Sequence, residues 1–370
     1  MIIKKCIGCG ATLQDKEESK AGFIPNLTEE SVLCRRCFRM KHYNELPKIV
    51  ASNADYEYVI DAVVKRKALM VFIVDIFSFK STFHQLMIER LRNKDVILVA
   101  NKIDLLPKST NLVKVVDWIS KECQKASFKV LAIGVASAKK GSFMDDFIET
   151  IDLARRGRDV YFVGCANVGK SSIINALLKR TTSREEDVIA TSIIPGTTLK
   201  EIRIPYYEDN CALVDTPGLI NERDVLNQLL PVSYKKIIPS TELKPITYQI
   251  TDGNSIYLGG LAVLSFTCST VVSVTVYASR NLYIHRSKTS RKEELLKKQT
   301  GILLCPPTLE EKKKLAYEKQ EFIIHGKKDI WFSSFGFVQI NGQARVEVES
   351  ILGTEVYLTD AILGTDQKKR

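Results

Sequence analysis

Runs of consecutive apolar residues, each closing on a polar turn, punctuate the first part of the chain: Ala68 to Val74 ending at Asp75, Asp95 to Ala100 ending at Asn101, and Lys129 to Val135. Unbroken runs of this length are those of parallel strands covered on both faces. Helical spacing follows the first run from Thr82 to Leu91 and the third from about Phe143 to Ala154. Two further strands are expected at Val160 to Val163, after the basic link Arg155-Arg156-Gly157-Arg158, and at Cys211 to Val214. Strands alternating with helices predict an α/β domain. The second part reads differently, with strand-like runs at Ser255 to Tyr277, Asn281 to His285, Glu321 to Ile324, Asp329 to Ile340 and Ala344 to Val348. Charged helices are expected between them, near Arg291 to Gln299 and Leu309 to Lys319, giving a β-rich α+β domain.

One stretch, Gly253 to Ser279, carries no charge and is long enough to span a bilayer as a helix. It contains Gly259-Gly260, and Val272-Ser273-Val274-Thr275-Val276 alternates with period two, so strands are the better reading and no membrane partner is expected. At 370 residues the chain has room for two or three domains. Its 45% hydrophobic and 26% charged residues exclude bulk disorder. The opening Met1 to Lys5 leads directly into Cys6 without a secretory pattern, so a cytoplasmic location is expected. The net charge of +11 is uneven: Arg280 to Lys298 holds seven Lys or Arg against two Glu, which fits either a polyanionic partner or a solvated helix face.

Of nine cysteines, Cys123, Cys165, Cys211, Cys268 and Cys305 stand alone and read as small core residues. Cys6, Cys9, Cys34 and Cys37 form C-x2-C-x24-C-x2-C, two knuckles whose thiolates could close a tetrahedron around Zn²⁺. His42 is an inferior fourth ligand, and disulfides are the weaker alternative in a reducing compartment. Four closed ligands leave no open position, so the metal is expected to fold the segment rather than to catalyse. Arg35, Arg36, Arg39 and Lys41 surround the second knuckle and offer contacts to nucleic acid or a partner protein.

The second apolar run delivers Asn101-Lys102-Ile103-Asp104, an N-K-x-D sequence. A carboxylate at Asp104 matches the N1–H and 2-amino donors of guanine, a pair adenine lacks. Ser137-Ala138-Lys139 after the third run resembles the backbone clasp on the guanine 6-oxo group. Between a strand and a helix lies Gly164-Cys165-Ala166-Asn167-Val168-Gly169-Lys170-Ser171, a complete G-x4-G-K-S phosphate loop continued by Ser172. Its amides converge on phosphate, Lys170 bridges β and γ oxygens, and the Ser171 hydroxyl is a Mg²⁺ ligand. Farther on, Pro195-Gly196-Thr197-Thr198 suits a mobile switch, with Thr198 as the second Mg²⁺ hydroxyl and Thr197 as fallback. Asp215-Thr216-Pro217-Gly218 follows, where Asp215 holds Mg²⁺ through water and Gly218 offers its N–H to the γ-phosphate.

These signatures run guanine motifs first and phosphate loop afterwards, the order of the circularly permuted GTPases. With the four-cysteine segment, Gly259-Gly260-Leu261, Ile284-His285-Arg286-Ser287-Lys288, Gly301 to Pro307 and Asp329-Ile330, the chain closely resembles the bacterial YqeH family over nearly its whole length. Val263, Ser265 and Ser78 depart from that pattern, standing where a basic and two acidic residues are usual. The resemblance implies a circularly permuted P-loop GTPase domain at 51–220, a zinc-binding segment at 1–50 and an RNA- or partner-binding domain at 221–370. It further implies action on a small ribosomal subunit precursor, through rRNA and ribosomal protein, with nucleotide state passing from the second switch into the C-terminal domain. Arg286, Lys288, Arg291 and Lys292 beside Tyr283 and His285 are the expected RNA contacts. Leu219 stands where Ras-type enzymes carry a water-orienting Gln, so intrinsic hydrolysis should be slow. In related GTPases with an apolar residue there, an asparagine at the position of Asn167 helps hold K⁺ against the phosphates, which makes Asn167, Lys170 and Thr198 the expected catalytic set. The rival reading is a guanine-nucleotide-gated RNA-binding or scaffold protein with negligible turnover.

Overall fold

The computed structural model describes residues 4–7, 11–17, 22–25, 27–28, 31–35, 53–181, 201–221 and 224–363. Cys9, Cys37, His42, Arg36, Arg39, Lys41 and the segment carrying Thr197 and Thr198 lie outside the described residues. The chain divides into two compact units, Met1–Ile103 with Val116–Asn221, and Asp104–Val115 with Glu222–Arg370.

The first unit is built on a six-stranded sheet: β1 (Leu69–Asp75), β2 (Val96–Asn101), β3 (Ala132–Val135), β4 (Val160–Val163), β5 (Ile202–Pro205) and β6 (Ala212–Asp215). Their spatial order is β3-β2-β1-β4-β6-β5, and every pairing is parallel except β5 with β6. All of β1, β2, β4 and β6 is buried, as continuous apolar runs require. Helices α1 (Asn53–Val63), α2 (Gln85–Leu91), α3 (Leu112–Lys125), α4 (Met144–Arg155) and α5 (Lys170–Thr181) punctuate the chain around these strands. An aromatic cluster fills the space beside β1: Phe79 meets Phe83 at 5.1 Å and Trp118 at 4.9 Å between centroids, and Phe83 stacks on Phe72. The expected helix from Thr82 starts at Gln85, after a separate helical turn over Phe79–Thr82, because the His84 ring accepts the Leu86 N–H and caps a new start.

The second unit is β-rich. Strands β7 (Ile246–Ile250), β8 (Asn254–Leu258), β9 (Ala262–Thr267), β10 (Val272–Tyr277), β11 (Ile284–Lys288), β12 (Tyr317–Phe332), β13 (Gly336–Ile351) and β14 (Val356–Asp360) form one antiparallel sheet. The uncharged stretch became β8, β9 and β10, with Val272, Val274 and Val276 inward and Ser273 and Thr275 partly exposed. Among the described residues no helix is long and apolar enough to cross a membrane.

The strands expected at Glu321 to Ile324, Asp329 to Ile340 and Ala344 to Val348 are instead two of sixteen residues, β12 and β13, paired from Tyr317↔Ile351 to Phe332↔Gly336, with the turn at 333–335 inside the second expected run. The polar stretches read as breaks carry on pairing, with Gly326 opposite Gly342. Gly342, at φ +143°, marks where β13 exchanges β10 for β9 as its second neighbour, and a Cβ there would stand 2.7 Å from the Val272 side chain. The helix expected over Leu309 to Lys319 ends at Lys312, because cross-strand pairing from Tyr317 onward overrides a helical charge pattern.

Between the two sheets in sequence runs a connector, Val225–Gln228 followed by α6 (Pro231–Ile237), and its Val225, Leu226, Leu229, Tyr234 and Ile237 are part of the second unit's core. Helix α7 (Lys292–Gln299) lays Leu295 on a smaller cluster with Tyr257, Val263 and Leu304. Thus Val263, one of the departures from the family pattern, is core, and Ser265 lies in a hydroxyl chain with Ser255 (2.9 Å) and Thr289 (2.8 Å from Ser255).

Asp329 is fully buried in this unit, accepting from the Ile362 N–H (2.8 Å) and Gln339 Nε2 (3.1 Å), while the same Nε2 donates to the Leu363 carbonyl (2.6 Å). Burial pushes its carboxyl up to about 7, against the hydrogen bonds and Lys327, with Asp360 adding to the rise. A folded value above the unfolded one means stability is present at low pH and lost as pH rises through 7. Between pH 6 and pH 8 the loss is about 1 kcal/mol. Urea unfolding at the two pH values should show this difference, and Asp329→Asn should remove it.

Candidate nucleotide and metal sites

The phosphate loop leaves the buried strand β4 and enters α5 at Lys170, so the first-turn amides of that helix face the loop. Cys165, the second loop residue, donates through Sγ to the Thr82 carbonyl at 3.6 Å, which backs the loop with the turn that follows β1. Asn167 adopts φ +62°, an uncommon conformation for a residue with a Cβ. The Lys170 ammonium is enclosed, 2.9 Å from the Cys165 carbonyl and 3.2 Å from that of Gly164, and burial pulls its pKa below the usual lysine range against the pull of Asp215.

Asp215 ends β6 beside β4, with Phe162↔Asp215 in register, and its Oδ2 accepts the Ser171 hydroxyl at 2.6 Å. This places a carboxylate and a hydroxyl, both hard oxygen donors, at the mouth of the loop next to a lysine, which is the donor set Mg²⁺ takes. Thr216 donates to the Phe162 carbonyl at 2.7 Å, pinning the next residue. Gly218 then passes so close to the loop that a Cβ would stand 2.6 Å from Ala166 Cα and 2.8 Å from Lys170 Nζ. Leu219 is buried, and its backbone pairs with the loop: Ala166 N–H donates to its carbonyl at 2.7 Å and its own N–H donates to Gly164 at 3.2 Å.

Asn101, at the end of β2, ties distant segments together. Its Nδ2 donates to the Val168 carbonyl at 2.9 Å, and its Oδ1 accepts the Ala138 N–H at 3.2 Å. Ser137 is buried and its Oγ accepts the Lys140 N–H at 3.1 Å, shaping the turn that presents Ala138 and Lys139. Lys102 has φ +67° and its ammonium lies 2.6 Å from Asp75 Oδ2. Asp104 begins the stretch 104–115 that groups with the second unit, where Leu243 N–H donates to the Leu105 carbonyl at 2.8 Å and Lys108 N–H to Glu242 at 2.9 Å. The structure thus brings together Asn101, Ala138, Val168, Lys170, Ser171, Asp215 and Gly218. Gly169 and Ser172 lie in the same loop and first turn. Asp75 went unnoticed in the sequence beyond its place as a strand end. The available signal was an acid closing an otherwise apolar strand.

In the N-terminal segment Cys6 and Cys34 are both buried, and the Cys34 N–H donates to Cys6 Sγ at 3.2 Å. The Cys6 N–H donates to the Ala11 carbonyl at 2.8 Å. Two buried sulfurs with a backbone donor suit a thiolate site. Among the described residues no group of three or more His, Cys, Asp or Glu gathers as a metal site.

Of the basic residues expected to meet RNA, Arg286 and Lys288 are exposed on β11, an edge of the sheet, and Tyr283 stacks on His285 at 6.0 Å. Lys292 does not join them. It is buried against Glu347 (2.6 Å) and Glu349 (3.0 Å), and their hydrogen bonds raise its pKa although burial opposes this.

Comparison with known proteins agrees with this architecture. Residues 159–253 match the family model described as a 50S ribosome-binding GTPase, and residues 271–362 match the model YqeH-like, C-terminal. The chain is 35% identical over 363 residues to YqeH of Bacillus subtilis (strain 168), covering 97% of this chain and 99% of that protein. It is 29% identical over 352 residues to NO-associated protein 1, chloroplastic/mitochondrial, of Arabidopsis thaliana, covering 82% of this chain and 62% of the relative. GTPase Der of Buchnera aphidicola subsp. Acyrthosiphon pisum (strain Tuc7) is 28% identical over 178 residues, 45% of this chain and 38% of that protein. With a P-loop GTPase domain, a β-rich C-terminal domain and a full-length match of this kind, the chain belongs to the YqeH family of GTPases.

Proposed function

We propose that this chain is a GTP-hydrolysing switch of circularly permuted topology, acting in the cytoplasm on a small ribosomal subunit precursor through rRNA and ribosomal protein. The observation that carries the nucleotide reading is Asn101, hydrogen-bonded at once to the phosphate loop and to the turn at Ala138. Permutation is supported by the sheet order: β4, which feeds the phosphate loop, lies in the middle of the sheet beside β1, the first strand in sequence. A cut relocated in this way preserves the site, because the ends of a compact domain are easily joined.

In this reading Asp104 selects guanine, Ser137, Ala138 and Lys139 clasp its oxo group, and the amides from Asn167 to Ser172 cradle the phosphates. Ser171 and Thr198 would hold Mg²⁺ directly and Asp215 through water. Bound Mg²⁺ supplies neutralisation of charge on the β and γ oxygens. Lys170, already desolvated, would meet the same oxygens where water screens its interaction with them little. Leu219 is buried and apolar, so no side chain at that position orients water, and Asn167 is assigned to hold K⁺. Gly218 reports the γ-phosphate. Only four residues, 220–223, separate the loop-bound Leu219 from Asp224, whose carboxylate binds Leu226 N–H and the Ser334 hydroxyl inside the second unit. Nucleotide state therefore has a short covalent route into the C-terminal unit, where Arg286, Lys288 and Arg291 with Tyr283 and His285 form the RNA face. Cys6, Cys9, Cys34 and Cys37 bind structural zinc. Metal analysis should find about one zinc per chain, lost in Cys34→Ser.

Multiple-turnover phosphate release tests the whole. Hydrolysis should be about tenfold faster in K⁺ than in Na⁺ at equal ionic strength, Asn167→Ala should erase the difference, and small subunits should raise the rate further. Stimulation by large subunits alone would reassign the partner, and binding of GTP without turnover under any of these conditions would favour the scaffold reading.

A further inference from the structure

Asp75 and Lys102 form a pair that the guanine motif itself does not explain. Asp75 is the last residue of β1 and lies in register with Asn101, the last residue of β2. Lys102 is thus the first residue to leave the sheet, and it does so at φ +67°, a left-handed turn that a residue with a Cβ rarely adopts. Its ammonium returns to Asp75 Oδ2 at 2.6 Å. The carboxylate is nearly buried and preset: Oδ1 accepts the Phe77 N–H at 2.9 Å, and the Asp75 N–H donates to Thr82 Oγ1 at 3.0 Å. The same turn offers the Thr82 carbonyl to the Cys165 thiol, so it supports the phosphate loop as well.

We propose that Asp75 is a positioning residue for guanine-nucleotide binding, acting through Lys102: its charge holds the left-handed turn that sets the direction in which the chain leaves β2 toward Asp104. The proposal rests on reading residues 101–104 as the guanine motif. Asp75→Asn isolates the charge, since the amide oxygen still accepts from Phe77 while an NH₂ group faces the ammonium. Release of a fluorescent GDP is the measurement, because it reads only folded, loaded protein. Asp75→Asn should accelerate release about tenfold, the scale of a lost charge-assisted hydrogen bond. In a Lys102→Met background the same substitution should change release by less than about twofold. An unchanged rate in the otherwise native chain, or an equal acceleration in both backgrounds, would overturn the assignment and leave Asp75 a general fold residue. Failure of the unaltered protein to prefer GDP over ADP would instead overturn the guanine reading on which the proposal stands.

Discussion

Gly218→Ala is expected to reduce GTP hydrolysis at least about a hundredfold, the scale of losing a preorganised donor at the developing charge, while GDP affinity changes by less than about threefold. The reason is steric. An added Cβ would stand 2.6 Å and 2.7 Å from Ala166 Cα and N and 2.8 Å from Lys170 Nζ. Lysine could yield, but the Ala166 backbone cannot, because its N–H is held by the Leu219 carbonyl and the Leu219 N–H by Gly164. Relief of the clash must separate D-T-P-G from the phosphate loop, and with it the Gly218 amide proposed above to meet the γ-phosphate. The bonds of Asn101 to Val168 and Ala138 do not involve Gly218 or Ala166 and remain. Single-turnover phosphate release and GDP titration measure the two halves. Hydrolysis within a few fold of the unaltered chain would mean that this amide plays no part.

The second large effect is expected at Glu311, which is 3% exposed and binds the start of α6. Its carboxylate accepts the Leu230 N–H at 2.5 Å, the Ser233 hydroxyl at 2.9 Å and the Thr308 N–H at 2.6 Å. Burial alone would raise its pKa, yet the hydrogen bonds from Thr308, Leu230 and Ser233 hold it below the usual glutamate range. Glu311→Ala leaves these donors without their acceptor, for a cost of about 3 kcal/mol. A melting transition lower by about 6–12 °C should follow, with faster amide exchange across Asp224 to Ile238. A shift below about 2 °C would show that water replaces the carboxylate without loss.

The Glu311 contacts also refine the switch. If the connector were a loose tether, γ-phosphate binding at Gly218 would order it over its length. Instead Val225, Leu226, Leu229, Tyr234 and Ile237 are core residues of the second unit, and Gln228 Nε2 donates to the Leu352 carbonyl at 2.8 Å. The connector from Val225 onward is therefore packed as part of the second unit. The stretch after the guanine motif is likewise part of that unit, through Leu105 with Leu243 and Lys108 with Glu242. The chain after Lys102 and the chain after Leu219 therefore both continue into that unit.

Much of the nucleotide architecture was legible in the chain because its determinants are local. Val160 to Val163 is a strand with the expected ends, and the loop from Gly164 to Ser171 follows at once, since a buried apolar run and a glycine-rich turn declare themselves within a few residues. The alternation at Val272 to Val276 likewise distinguished a strand from a membrane helix without reference to any neighbour. Partner identity was not legible. Lys292 stands in a basic run that reads as a solvated, phosphate-binding face, and only the folding of Glu347 and Glu349 against it makes it a buried, paired cation. Lys313 to Lys319 continue a helical charge pattern, and only pairing of Tyr317 with Ile351 turns the chain into strand. Asp75 looked like the polar end of a core strand until parallel register put it beside Asn101 and Lys102. In each case a residue's own type determines whether burial is favourable, whereas the charge or hydrogen-bond partner that permits that burial comes from a distant segment, and only tertiary packing selects it.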